Sequence, residues 1–412
     1  MSKIRETTMK SIAKKPLNVA ITLALMSVSS LSVNAAETVT EAMANGTANA
    51  NFLLRYESVE QDNGVEDASA LTLRTLLSYK SASYKNFSAM IEVEDTRIVL
   101  GQGDYTVGPT GYNSGIYSVI ADPEHTELDQ GYVQYSTDEF TAKVGRQVIT
   151  MDNHRFVGHV GWRQDRQTFD GLSFGYNPTK GLSLKYAYLT QRNRIFAEAA
   201  DLDAKDHLLN ASYQSSIGKI TAYGYLLEVD NNVENSLDTF GIRFSGNSLV
   251  GDTKLIYTAE YATQSSDSAT TSFDADYLML EAGALFSGFT AKVGYELLGS
   301  DEGNYGFSTP LATLHKFNGW ADVFLGTPAQ GLVDLSVSLS GKVAGGSLMA
   351  TYHDFDADEA TESVDDLGNE IDLQYTYKVS ANYSMGIKYA SYSGESGRAD
   401  TDKLWLWLGA KF

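Results

Sequence analysis

The 412-residue chain contains no cysteine, which excludes a disulfide framework, thiolate metal sites and cysteine nucleophiles. It also lacks the roughly 20 consecutive apolar residues of a membrane-spanning helix. Its best apolar stretch, Leu17 to Val33, is broken by Ser27, Ser29, Ser30 and Ser32. Positive charge is scarce: 31 basic residues face 52 acidic ones, so nucleic acid is not an expected partner. No repeat recurs at a fixed period of about 20 to 50 residues, which argues against a solenoid. Stability must come from backbone pairing and packing.

What is present begins with a leader. Lys3, Arg5, Lys10, Lys14 and Lys15 precede the apolar stretch, which ends in Val33-Asn34-Ala35-Ala36. This order predicts a cleaved signal peptide over residues 1–36 and a mature domain over 37–412. The leader carries five bases and one acid, so its removal takes the formal charge from −21 to −25.

In the mature chain, apolar and polar residues alternate with period two in eighteen segments of about ten residues, the length of a tilted strand crossing a bilayer. They lie near 51–57, 69–80, 86–95, 127–136, 139–149, 167–176, 181–191, 206–215, 218–228, 237–246, 252–263, 274–286, 288–298, 331–341, 346–354, 369–378, 382–393 and 402–412. Charges fall opposite the apolar stripe: Leu71, Leu73 and Leu77 oppose Arg74, and Val293 and Tyr295 oppose Lys292 and Glu296. Arg243 likewise opposes its stripe, Arg146 breaks phase with Val144, and the phase of 218–228 is ambiguous. Short links such as Ser287-Gly288 alternate with long ones at 97–126, 150–166 and 299–330. The last segment places Leu404, Leu406, Leu408, Ala410 and Phe412 on one face, as the closing strand of an outer-membrane barrel does. The expected fold is therefore all-β: a transmembrane antiparallel β-barrel of about 18 strands, with both termini periplasmic. A Gram-negative outer membrane is the expected location, with lipid, lipopolysaccharide and, through Phe412, the barrel-assembly machinery as partners.

Two long links hold the unusual chemistry. The first, DNHRFVGHVGWRQDRQTFDG (152–171), brings Arg155, Arg163 and Arg166 close behind Arg146. These arginines either form a cationic ladder at a constriction, where guanidinium suits carboxylates, or pair with nearby acids; Asp165 and Asp170 are candidates to orient them. The second link carries Phe307, Phe317, Trp320 and Phe324, which either pack on the wall or offer flat surfaces to sugar rings. The acidic run Asp354 to Asp366 lacks EF-hand spacing, and no specific metal site or cofactor is expected. Gly171-Leu-Ser-Phe-Gly175 is not a nucleophile elbow, because Ser173 lies inside an alternating segment rather than on a strand-to-helix turn. Catalysis is not expected.

Several patches resemble the alginate-export family of outer-membrane porins: ADPEHTELDQGYVQY (121–135), GRQ (145–147), DNHRFVGHVGWRQDRQTFDGLSF (152–174), TPLATLHKFNGWADVFL (309–325), GLVDL (331–335), YHDF (352–355) and GNEIDLQYTYK (368–378). The resemblance implies an eighteen-stranded barrel with an arginine-rich lumen that passes an anionic uronate polymer, and its motifs carry Arg146, Arg155 and Arg163 as lining residues. Strand phase adds Arg74, Arg243 and Lys292, and the loop adds Arg166. The expected function is a passive channel for small hydrophilic or anionic solutes, acidic saccharides such as uronates among them; the alternative is a non-conducting surface barrel whose loops plug the lumen.

Overall fold

The structure, a computed structural model, describes residues 36–108 and 112–412. Apart from Ala36, the expected leader lies outside the described residues. A short helix, α1 (Val39–Ala44), is capped by Thr38, whose hydroxyl accepts from the Glu41 amide at 3.1 Å. The wall then runs through β1 (Thr47–Gln61), β2 (Ala68–Lys80), β3 (Phe87–Asp104), β4 (His125–Ser136), β5 (Phe140–Gln147) and β6 (Thr168–Thr179). It continues with β7 (Leu182–Asn193), β8 (Leu202–Gln214), β9 (Lys219–Leu227), β10 (Asn235–Val250), β11 (Thr253–Ser268), β12 (Ser272–Phe286) and β13 (Phe289–Leu298). The longest link holds a small hairpin of β14 (Ser300–Asp301) and β15 (Tyr305–Gly306). The wall ends with β16 (Leu332–Val343), β17 (Gly346–Asp356), β18 (Asp366–Lys378), β19 (Tyr383–Gly394) and β20 (Thr401–Lys411).

Eighteen of these strands form one antiparallel sheet. β1 pairs with β2 on one side and with β20 on the other, from Asn51↔Lys411 to Gln61↔Thr401, so the sheet closes on itself. Each of the eighteen alternating segments corresponds to a strand of the wall. β1 begins earlier than expected, at Thr47, and β3 runs on to Asp104, because backbone pairing continues at the rims where alternation is no longer required. The ambiguous segment is β9. Its inward Tyr223, Tyr225 and Leu227 are buried and pack in the interior cluster with Phe156, so both of its faces carry apolar residues and the pattern is blurred.

The outer face is apolar, with Leu77, Ile91, Val133, Val144, Val293, Val337 and Leu408 all exposed. Near the short links a row of outward rings runs Phe87, Tyr135, Phe140, Phe174 and Tyr186, with successive centroids 5.0, 6.5, 6.2 and 6.2 Å apart. Such a girdle suits a membrane interface. The carboxyl end meets the same rim: Phe412 exchanges backbone hydrogen bonds with Ala50, and its ring lies 6.5 Å from Phe52 and 5.9 Å from Tyr383.

The facing can be tested at mid-strand, where Val293 lies opposite Val337 on the outer side. Val293→Lys is expected to lower unfolding stability in lipid vesicles by about 2 to 4 kcal/mol, while Ser336→Lys, on the inner side, leaves it nearly unchanged. Equal losses in urea titrations would reverse the assigned faces.

Candidate functional site: a loop-filled lumen

The links 105–124, 148–167 and 299–331 each carry residues too apolar for water, and each folds inward. Tyr105, Ile120, Val157, Phe307 and Leu311 are fully buried. The Phe156 ring lies 5.1 Å from Tyr223, 5.2 Å from Tyr277 and 6.0 Å from Phe307, joining loop to wall and loop to loop. Val157 bridges Leu311 in parallel, and the Gly158 amide donates to the Leu311 carbonyl at 2.8 Å. A Cβ at Gly158 would sit 2.2 Å from the Thr313 hydroxyl, so this contact requires glycine. Among the aromatic residues of the longest link, Phe307, Trp320 and Phe324 pack in the interior cluster. Phe317 is half-buried, beneath the Arg155 guanidinium at 4.8 Å.

The arginines of the 148–167 loop are nearly all paired. Arg155 donates to Glu296 at 2.7 Å, to the Thr309 hydroxyl at 3.1 Å and to the Asn318 side-chain carbonyl at 3.2 Å. Arg163 donates to both oxygens of Glu57, at 3.0 and 2.9 Å, and to Asp322 at 2.8 Å. Arg166 holds Asp129 at 3.0 Å and also pairs with Glu92. Arg74 reaches in from β2 and donates to the Arg163 carbonyl at 3.2 Å. These four converge on the loop and fix it to the wall. Arg146 stands apart: it shares a strand side with the exposed Val144 and pairs with Asp170 at 2.8 and 3.1 Å. Among the described residues Asp165 pairs with no arginine; its Oδ2 accepts from the Ala197 amide at 3.0 Å, and burial, reinforced by Glu127 and Glu94, pushes its carboxyl up to about 9.

A second network ties the longest link to β18 and β19. His315 donates from Nδ1 to Asp322 at 2.7 Å and accepts from the Lys388 ammonium at Nε2, 3.0 Å away. Burial pushes this imidazole down to about 3, in keeping with a neutral ring that donates at one nitrogen and accepts at the other. The Lys388 ammonium also lies 3.7 Å from the Trp162 ring and 4.1 Å from Trp320, a cation–π contact that offsets its desolvation. Ala321 and Trp320 donate backbone N–H groups to Glu370 and Asp372 at 2.7 and 3.2 Å.

Between loops and wall remains a cavity of about 720 Å³. Arg243, Lys292 and Lys316 line it together with Glu281 and Glu296. Arg243 pairs with Glu260, and Lys292 with Glu281 at 3.0 Å. Lys316 is exposed, donates to the Asn153 carbonyl at 2.8 Å, and among the described residues forms no ion pair. Burial of part of its environment, with Arg243 and Lys292 nearby, lowers its pKa. Lys316 was not singled out from the sequence, because a lone lysine in a loop gives no signal until the loop folds inward. The only serine considered as a nucleophile, Ser173, donates to the Gln147 side chain at 2.6 Å.

The eighteen-stranded barrel has relatives. A family model described as alginate export matches residues 40–301. The chain belongs to the alginate export family. No curated protein matches its sequence. Among solved structures, this family member is similar to Pseudomonas aeruginosa OccK9 (OpdG), at 14% identity and TM-score 0.68, over 90% of this chain and 99% of the other. It is similar to P. aeruginosa OpdK with vanillate, at 13% and 0.69 over 89% and 98%. It also resembles Acinetobacter baumannii OccAB4, at 12% and 0.70 over 89% and 99%. At these identities the likeness establishes the barrel fold.

Removing one partner of a buried ion pair leaves the other uncompensated, a cost of about 3 kcal/mol or more. Arg163→Ala is therefore expected to loosen the 148–167 loop from Glu57 and Asp322, with protease cleavage inside the loop of the folded barrel and noisier single-channel currents. A variant as protease-resistant and quiet as the parent would show that the pairs do not hold the loop.

Proposed function

We propose that the chain is an outer-membrane diffusion channel for small hydrophilic solutes, with acidic saccharides such as uronates as the favoured class. The barrel spans lipid through its apolar belt, both termini lie on the periplasmic side with the short links, and Phe412 serves recognition by the assembly machinery. Solutes move down their gradient without ATP or cofactor. Family membership supports the transport reading, and the vanillate found with OpdK, itself a carboxylate, agrees with an anionic solute.

The observation that carries the anion preference is Lys316: a cavity-facing ammonium with no carboxylate partner among the described residues, set beside Lys292 and Arg243. A passing carboxylate exchanges water for these donors and leaves again because Lys316 offers one exposed contact while Lys292 and Arg243 stay shared with Glu281 and Glu260. In this reading Arg155, Arg163, Arg166 and Arg74 act from behind, setting the position of the constricting loop, and Arg146 lies outside the solute path.

The zero-current potential of the purified mature barrel in a planar bilayer under a salt gradient tests this. Anion selectivity, current block by uronate oligomers, and a severalfold drop in anion preference for the double variant Lys316→Gln, Lys292→Gln are expected. Cation selectivity would hand control to the lumen acids and overturn the preference. No conductance would favour the loop-plugged surface barrel.

A further inference from the structure

At one spot in the lumen wall buried carboxylate oxygens stay without a partner among the described residues. Glu94 on β3, His125 at the start of β4 and Asp165 on the inward loop meet there, all buried, with one potential ligand atom from each lying within 4.8 Å of the others. Among the described residues no other group of three such side chains converges in this way. His125 Nε2 and Glu94 Oε1 are 3.2 Å apart. Two donors of one tetrahedral ion, at about 2.0 to 2.1 Å each, stand roughly 3.3 Å apart.

The remaining valences point the same way. Glu94 Oε2 and Asp165 Oδ1 are buried without a hydrogen-bond partner. So is the hydroxyl of Thr96, the cross-strand neighbour of His125. Orphaned carboxylate oxygens in one buried place are destabilising unless something fills it. The imidazole is also set for ligation: its Nδ1 lies 3.1 Å from the Pro123 carbonyl, which can only accept. A proton held on Nδ1 turns the Nε2 lone pair toward the two carboxylates, as outer partners of ligating histidines do.

We infer that Glu94, His125 and Asp165 bind a first-row divalent transition-metal ion, with zinc or manganese the best match, and that this ion staples the 148–167 loop to β3 and β4. One imidazole nitrogen with two carboxylates suits such an ion better than calcium or magnesium, which take oxygen-only sets. Binding the ion displaces the proton that burial favours on Asp165, and the two carboxylates then balance its charge. The staple differs in kind from its neighbour, Arg166, which holds Asp129 and Glu92 through guanidinium contacts. The site is separate from the cavity around Lys316, so its metal can be measured without reference to conductance.

The experiment is equilibrium dialysis of the chelator-stripped mature barrel against zinc, with bound metal counted by mass spectrometry and folding checked by heat-modifiable gel migration. One zinc per chain is expected, with at least a tenfold weaker affinity in Asp165→Asn and in His125→Gln, and a zinc-dependent rise in unfolding temperature in the parent only. Equal zinc binding in parent and variants would assign the metal to surface acids such as the 354–366 run and overturn the site. So would an absence of zinc binding, or calcium displacing zinc at equal concentration. Should the variants not fold, zinc-edge X-ray absorption of the parent decides: one imidazole nitrogen among oxygens is expected, and an oxygen-only shell refutes the assignment.

Discussion

Everything in this molecule rests on the absence of a free sheet edge. In hydrocarbon an unpaired N–H or C=O has no water to turn to, so a sheet can face lipid only if its first and last strands meet. The β1–β20 seam supplies that meeting over eleven register pairs, from Asn51↔Lys411 to Gln61↔Thr401. With the backbone satisfied within the wall, side chains are free to segregate by face, and the inner face collects the charge that the outer one cannot carry. Closure therefore also concentrates Glu57, Glu94, Glu296, Glu370 and Asp372 around the lumen, where they need counter-charges. The loops bring Arg155 to Glu296, Arg163 to Glu57 and backbone N–H groups to Glu370 and Asp372.

That exchange explains why the arginine-rich link is not a row of bare cations. A guanidinium inside a wall lined with carboxylates lowers its energy by pairing, and Arg155 and Arg163 do so with Glu296, Glu57 and Asp322. The loops are thus docked by charge at their polar positions and by ring packing at Phe156, Phe307 and Phe324. What is left for a solute is the smaller set of groups that docking does not use up.

The strands were legible because a period of two is dictated by backbone geometry and needs no knowledge of neighbours; Leu71 and Arg74 announce their faces from sequence alone. The inward loops were half legible: the aromatic density around Trp320 and the arginines after Asp152 marked them as unusual. Their partners were not, since Arg155 and Glu296 are 141 residues apart and Arg163 and Glu57 are 106 apart. The same holds for Glu94, His125 and Asp165, which share no spacing, and for Lys316, whose significance depends on which way its loop folds. β9 was obscured for the opposite reason: interior packing added apolar residues to a face that elsewhere is polar.

The Val157–Leu311 bridge, with Gly158 fitted against Thr313, has a mechanical meaning. Two segments separated by more than a hundred positions in the chain are hydrogen-bonded to each other as well as to the wall, so neither can swing out alone without breaking the other's contacts. The 148–167 and 299–331 loops are thus expected to move together rather than as independent flaps. Their displacement would register as one concerted step between two levels, not as a staircase of partial openings.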